Sequence, residues 1–168
     1  HMRILVLDFG GSSVKYALVD EDCQVLLPGR CIAPLSSPEE FVSTVEKIYT
    51  GTGSVAEGIA VSIPGYVNTK TGVLQGSGAY FNLYGENLVD LIHSRLSLPV
   101  AVENDGRCGA LAEVWKGALA DCNDGVVLIL GTGVAGGIVK DRHIHAGKNL
   151  AAAEFSNYIV NPNQPNFL

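Results

Sequence analysis

The chain has no uninterrupted apolar run approaching the roughly 18 residues that a membrane-spanning helix needs, so no membrane partner is expected. It has no block of positive charge either. Lys and Arg number 11 against 17 Asp and Glu, a formal balance of −6, which argues against nucleic acid as a partner. The four cysteines, Cys23, Cys31, Cys108 and Cys122, form no Cys-x-x-Cys pair, which speaks against a zinc knuckle or a disulfide framework and for free thiols in a reducing compartment. No basic flank and cleavage site mark a secretory leader, so a cytoplasmic location is expected. A P-loop is missing too, because Gly147-Lys148 is followed by Asn149 and has no spaced upstream glycine. What the chain has in plenty is glycine, 20 residues in 168, gathered in short clusters after apolar strands. Glycine costs backbone entropy, so such clusters call for a reason.

In chain order, three strands come first: Ile4 to Phe9, Val14 to Val19 and Val25 to Ile32. Their short connections make an antiparallel meander. Ser37-Pro38-Glu39-Glu40 announces a helix, with Ser37 as cap, Pro38 in the first turn and acids near the positive end. Gly58 to Ile63 is a continuous apolar strand of the kind buried on both faces, and it ends at Pro64-Gly65. A small hairpin follows over Val67 to Leu74, its far end at Ser77-Gly78, and then a helix over Asn87 to Leu96. Pro99 to Val102 is a strand that runs into Glu103-Asn104-Asp105-Gly106 and a helix over Cys108 to Trp115. A composition break at 120–125 divides a first α/β lobe, 3–120, from the start of a second, 121–168. The second opens with a strand at Val126 to Leu130, a glycine turn and a hairpin about Asp141-Arg142, and a short helical piece follows at Ala151 to Phe155. An open α/β lobe needs more strands than this to bury its faces, so a longer parent chain is expected.

Three places could carry chemistry. The hairpin tip Asp8-Phe9-Gly10-Gly11-Ser12-Ser13-Val14-Lys15 combines a carboxylate, exposed backbone N–H groups, a hydroxyl and a lysine, a set able to hold a phosphate tail and its metal ion, although Gly-Gly between strands also serves as a plain turn. Gly131-Thr132-Gly133-Val134-Ala135-Gly136 has the letters of the dinucleotide fingerprint, but the β-branched, turn-like residues that follow offer no helix N-terminus for a pyrophosphate. It reads instead as a second glycine turn, with the Thr132 hydroxyl and backbone amides able to meet phosphate oxygens. Asn104-Asp105 sits where a strand becomes a helix: either an ordinary cap or a general base for phosphoryl transfer. Glu154, in an alanine-rich setting, is either an exposed residue or a ligand hook. His143 and His145 share a strand face but lack a third metal ligand, and Trp115, Tyr80, Phe81 and Tyr84 read as packing residues.

Together these parts resemble the ROK family (repressor, open reading frame, kinase) of the actin-like sugar kinase superfamily. The stretch from Asp8 to Lys15 is similar to its first phosphate motif, with serine for threonine; Ile63-Pro64-Gly65-Tyr66-Val67-Asn68 to its Pro-Gly substrate loop; Pro99 to Asp105 to its catalytic segment; and Gly131 to Gly137 to its second phosphate motif. The resemblance implies an actin-like (ribonuclease-H-like) α/β fold and an ATP-dependent kinase acting on a hexose or N-acylhexosamine. By the same resemblance Asp105 is the base, Gly65, Gly78, Asn104, Glu154 and Asn157 hold sugar hydroxyls, and Asp8 meets Mg2+ through water. Gly10, Gly11, Ser12, Lys15, Thr132 and Gly133 then surround the ATP phosphates, lobe closure excludes water, and a homodimer is a family expectation. The sugar segment Ala152-Ala153-Glu154-Phe155-Ser156-Asn157 departs from the family pattern by ending in asparagine where the motif has a histidine. Asparagine is a poor zinc ligand, so zinc is not expected in this chain. The rival expectation is a sugar-sensing regulator, or a binding protein without catalysis.

Overall fold

The computed structural model describes residues 2–76, 78–131, 133–158 and 163. The chain forms two compact units that divide between Asn104 and Asp105, ahead of the composition break at 120–125. The difference lies in one helix, which packs on the strands that follow it rather than on those that precede it. No helix among the described residues is long and apolar enough to cross a membrane.

The first unit is built on a five-stranded sheet. Its strands are β1 (Arg3–Phe9), β2 (Ser13–Asp20), β3 (Val25–Ile32), β4 (Gly58–Ile63) and, after a hairpin of β5 (Tyr66–Asn68) and β6 (Val73–Gly76), β7 (Val100–Asn104), in the spatial order β3-β2-β1-β4-β7. The first three form the expected meander, and β4 and β7 run parallel to β1. Two helices, α1 (Pro38–Gly51) and α2 (Leu88–Leu96), supply the connections that parallel strands require. Each starts at a side-chain cap: Glu40 N donates to Ser37 Oγ at 3.1 Å and Asp90 N to Asn87 Oδ1 at 3.1 Å.

Alternation along the strands decides what lies in the core. Leu5, Leu7 and Phe9 of β1 and Ile59, Val61 and Ile63 of β4 join Phe41, Val45 and Ile48 of α1 and Leu88 and Ile92 of α2 in one buried cluster. Each such side chain contributes about 1.5–3 kcal/mol. Strand β4 is therefore not buried on both faces as its run of apolar letters implied: Ala60 and Ser62 on its other face are only partly buried. That other face carries a row of polar partners in register across four strands, Lys15, Asp8, Ser62 and Glu103.

Strand β3 is an outer strand with Val25, Leu27 and Ile32 exposed. Its pairing with β2 shifts register at Tyr16/Leu18, and Leu27 takes a left-handed φ of 49° just before Pro28. The Tyr16 ring lies over Gly29, filling the place of the side chain that glycine lacks.

The second unit places α3 (Asp105–Lys116) against an antiparallel sheet of β8 (Gly125–Leu130), β9 (Val134–Lys140) and β10 (His143–Ile144), in the order β10-β9-β8. The helix starts at Asp105, earlier than its apolar letters indicate. Its inner positions are Gly106, Arg107, Ala110 and Val114. A Cβ on Gly106 would stand 2.6 Å from the backbone N and O of Gly136, and one on Gly137 would stand 2.5 Å from the Ala110 Cβ. The small residues of both elements let the helix lie directly on the β9 backbone. In place of the expected helix at 151–155 there is a 3-10 turn at Phe155–Asn157, because Leu150 (φ 60°) and Ala153 (φ 69°) turn the chain through the left-handed region.

Candidate functional site

Strands β1, β4 and β7 run parallel, so their carboxyl ends lie at one edge of the sheet, where open α/β sheets gather ligands. β1 ends in the Gly10-Gly11-Ser12 turn, β4 in Pro64-Gly65, and β7 in Asn104, with Asp105 the next residue. In the first turn Gly10 N donates to Ser13 O at 2.9 Å, and the Gly10 carbonyl accepts the Tyr80 hydroxyl at 2.5 Å. Gly11, Ser12 and Lys15 are exposed.

Asp8 is half-buried, and its Oδ1 accepts the Ser62 hydroxyl at 2.8 Å. Its other carboxylate oxygen has no protein partner among the described residues, which leaves a hard oxygen donor beside the phosphate turn. That chemistry fits a water-bridged magnesium ion. Asn104 is buried and its Nδ2 donates to the Gly65 carbonyl at 2.9 Å, so the end of β7 holds the Pro-Gly loop. Gly65 has φ 108°, a conformation that needs glycine. Gly78, exposed at φ 48°, opens the 3-10 turn Gly78–Leu83.

In the second unit, Asp105 is half-buried at the first position of α3, its Oδ1 accepting Gly106 N at 2.8 Å. Glu154 feels three influences. Burial pushes its carboxyl above the ordinary range, the Arg107 charge pulls it back, and the Asp105 charge raises it further. Asp105, Arg107 and Glu154 thus form one electrostatic group. Arg107 is buried and donates from Nη2 to the Leu150 carbonyl at 2.5 Å, which ties the segment before Glu154 to α3. Asn157 is exposed at the end of the 3-10 turn, and its backbone N donates to Glu154 O at 3.1 Å. Gly133 is exposed and its carbonyl accepts Gly131 N at 2.9 Å, whereas Gly136 and Gly137 serve packing; Thr132 lies outside the described residues. The segment joins two antiparallel strands, as the rejection of a dinucleotide fold requires.

No group of three or more His, Cys, Asp or Glu able to hold a metal occurs among the described residues, and His143 and His145 are exposed. Of the four aromatics read as packing, only Tyr80 is buried; Phe81, Tyr84 and Trp115 are more than half exposed at 67, 69 and 57%. Three residues of these clusters were missed by sequence reasoning: Ser62, Arg107, and Tyr80 in its polar role. Arg107 had a signal, since it stands three residues before Ala110 and seven before Val114 on the helix's inner stripe. Ser62 had one as well, a lone hydroxyl in the apolar run of β4.

The ROK family model matches residues 4–166. A beta-glucoside kinase of Listeria monocytogenes is 34% identical over 154 residues, 92% of this chain and 52% of its own length. A ROK family glucokinase from Streptomyces griseus, solved in complex with glucose and AMPPNP, superposes with a TM-score of 0.84 at 28% identity over 96% of this chain and 52% of that one. A ROK family transcriptional regulator, a homolog of the E. coli MLC protein, superposes with a TM-score of 0.85 at 23% identity over 96% of this chain and 42% of that one, and shares the fold. The chain spans about half the length of the curated relatives it matches. With the family model covering nearly every residue and the mixed α/β architecture of the actin-like sugar kinases, the chain belongs to the ROK family.

Proposed function

We propose that the protein is an ATP-dependent sugar kinase acting on a hydroxyl of a hexose or N-acylhexosamine. The observation that carries this reading lies within the first unit, where the phosphate turn beside Asp8 and the Pro-Gly loop held by Asn104 stand at the carboxyl ends of the parallel strands β1, β4 and β7; Asp105 is the next residue of the chain. In the proposed reaction the sugar oxygen forms a bond to the γ-phosphorus as the bond to the departing ADP oxygen breaks. The hydroxyl proton passes to the Asp105 carboxylate. Gly65, Gly78, Asn104, Glu154 and Asn157 orient the other hydroxyls. Gly10, Gly11, Ser12, Lys15, Thr132 and Gly133 meet the phosphates, and Asp8 would hold through water a magnesium ion, whose positive charge would offset that of the phosphate oxygens. The named kinases among the relatives, one of them with a sugar and an ATP analogue bound, support the reading.

The test is an ADP-release assay with Mg·ATP over a panel of hexoses, β-glucosides and N-acylhexosamines, with Asp105→Asn as control. Turnover on one sugar that falls by at least about 10²-fold in Asp105→Asn, with sugar affinity retained, is the expected outcome. Near-normal turnover in the variant refutes the base assignment. Asn157, in place of the histidine of the family motif, favours a second reading, a sugar-binding protein without transfer; saturable sugar binding with no ADP release on any sugar would establish it.

A further inference from the structure

Tyr80 is completely buried, two residues beyond Gly78, yet its hydroxyl is spent on the backbone of a different turn. Its ring stands edge-on to Phe9, centroids 5.9 Å apart and planes at 80°, and the hydroxyl donates to the Gly10 carbonyl at 2.5 Å. Burial, and then the charge of Asp8, push the phenol's pKa well above its ordinary value, so it stays a donor at every working pH. The same turn touches its neighbour a second time: a Cβ on Gly11 would sit 3.8 Å from the Ala79 Cβ.

A trans peptide unit is planar, with its C=O and N–H pointing in opposite directions. Gly10 and Gly11 share one such unit. Holding the Gly10 carbonyl toward the buried Tyr80 therefore turns the Gly11 N–H the other way, toward the exposed side of the turn. No acceptor among the described residues meets that N–H, whereas Gly10 N is already committed to Ser13 O. We infer that Tyr80 is a positioning residue: by fixing the Gly10–Gly11 peptide plane it presents the Gly11 N–H to a nucleotide phosphate, and it ties the turn that carries Gly78 to the turn that binds phosphate. The inference rests on the nucleotide-binding reading of the Gly10–Ser12 turn.

Tyr80→Phe keeps the ring and its packing but frees the carbonyl. The experiment measures the affinity of wild type and variant for Mg·AMPPNP and for adenosine by calorimetry, and follows the Gly11 amide by NMR as Mg·AMPPNP is added. The expected result is affinity for Mg·AMPPNP weakened roughly tenfold in the variant with adenosine affinity unchanged, and a Gly11 amide shift that is large in wild type and reduced in the variant. General loosening would weaken both ligands alike and overturns the inference, as does equal Mg·AMPPNP binding by both proteins. Wild type that binds Mg·AMPPNP without moving the Gly11 amide overturns the Tyr80 role and leaves the kinase reading standing, whereas no Mg·AMPPNP binding by wild type overturns both. If Tyr80→Phe folds poorly, a wild-type Gly11 amide that does not move on addition of Mg·AMPPNP still overturns the inference.

Discussion

Replacing Gly106 by alanine puts one methyl group between α3 and β9, and the structure fixes what that methyl meets. In an open helix interior alanine is favoured over glycine by about 1 kcal/mol. Here the new Cβ would lie 2.6 Å from both the N and the O of Gly136, backbone atoms that have no rotamer to escape into. Overpacking of this kind costs about 1–3 kcal/mol and stands at the upper end where backbone must move. The net expectation is a loss of about 1–2 kcal/mol, which at a urea m-value near 2 kcal/mol/M lowers the unfolding midpoint by roughly 0.5–1 M. The single tryptophan, Trp115, sits on α3, so its emission follows this unit. Gly51→Ala is the control: the position ends α1 with nothing within 4 Å of a built Cβ, so the same substitution there gains up to about 1 kcal/mol, read by circular dichroism. A Gly106→Ala midpoint equal to or above wild type would refute the direct seating of the helix on the strand.

Two further outcomes concern the charged group around Glu154. Arg107→Ala removes a buried cation and the donor to the Leu150 carbonyl, so the Trp115-monitored transition drops by about 2–3 kcal/mol, and the Glu154 carboxyl titrates higher still in a carbon-13 NMR titration; an unchanged Glu154 titration would show that the two charges do not interact. Glu154 itself has a folded pKa raised above its unfolded value, so the folded state holds the extra proton between the two. Its contribution to stability is full below the unfolded carboxyl pKa of about 4.3 and declines as pH rises through the folded value. Glu154→Gln removes that decline: urea midpoints of variant and wild type coincide near pH 4 and the variant is the more stable at pH 7. Parallel profiles across that range would contradict the burial of the carboxylate.

Much of the first unit was legible because its signals are local and repeated. The Ser37-Pro38 start, the Gly-Gly tip and the apolar run Ile4 to Leu7 of β1 each specify their own structure, and all three point to the same arrangement. Strand β4 was misread because a run of small and β-branched residues looks alike whether one face or two are covered, and only the placement of α1 and α2 distinguishes the cases. In the second unit the glycines of 131–137 could not be apportioned from letters, since a turn glycine and a packing glycine differ only in what approaches them. The approach of α3 to Gly136 and Gly137 is a long-range fact. The same holds for Tyr80, whose burial is readable as that of an aromatic but whose hydrogen bond spans 70 positions to Gly10.

The irregularity in β3 bears on how the protein behaves among its own copies. A strand on the outside of a sheet, with Val25, Leu27 and Ile32 exposed, offers a row of backbone donors and acceptors to any chain that meets it. The register shift, the left-handed Leu27 and the absent N–H of Pro28 interrupt that row near its middle, so a straight incoming strand finds no continuous ladder to extend. Such an interruption is the kind of irregularity that discourages edge-to-edge pairing between copies of a chain.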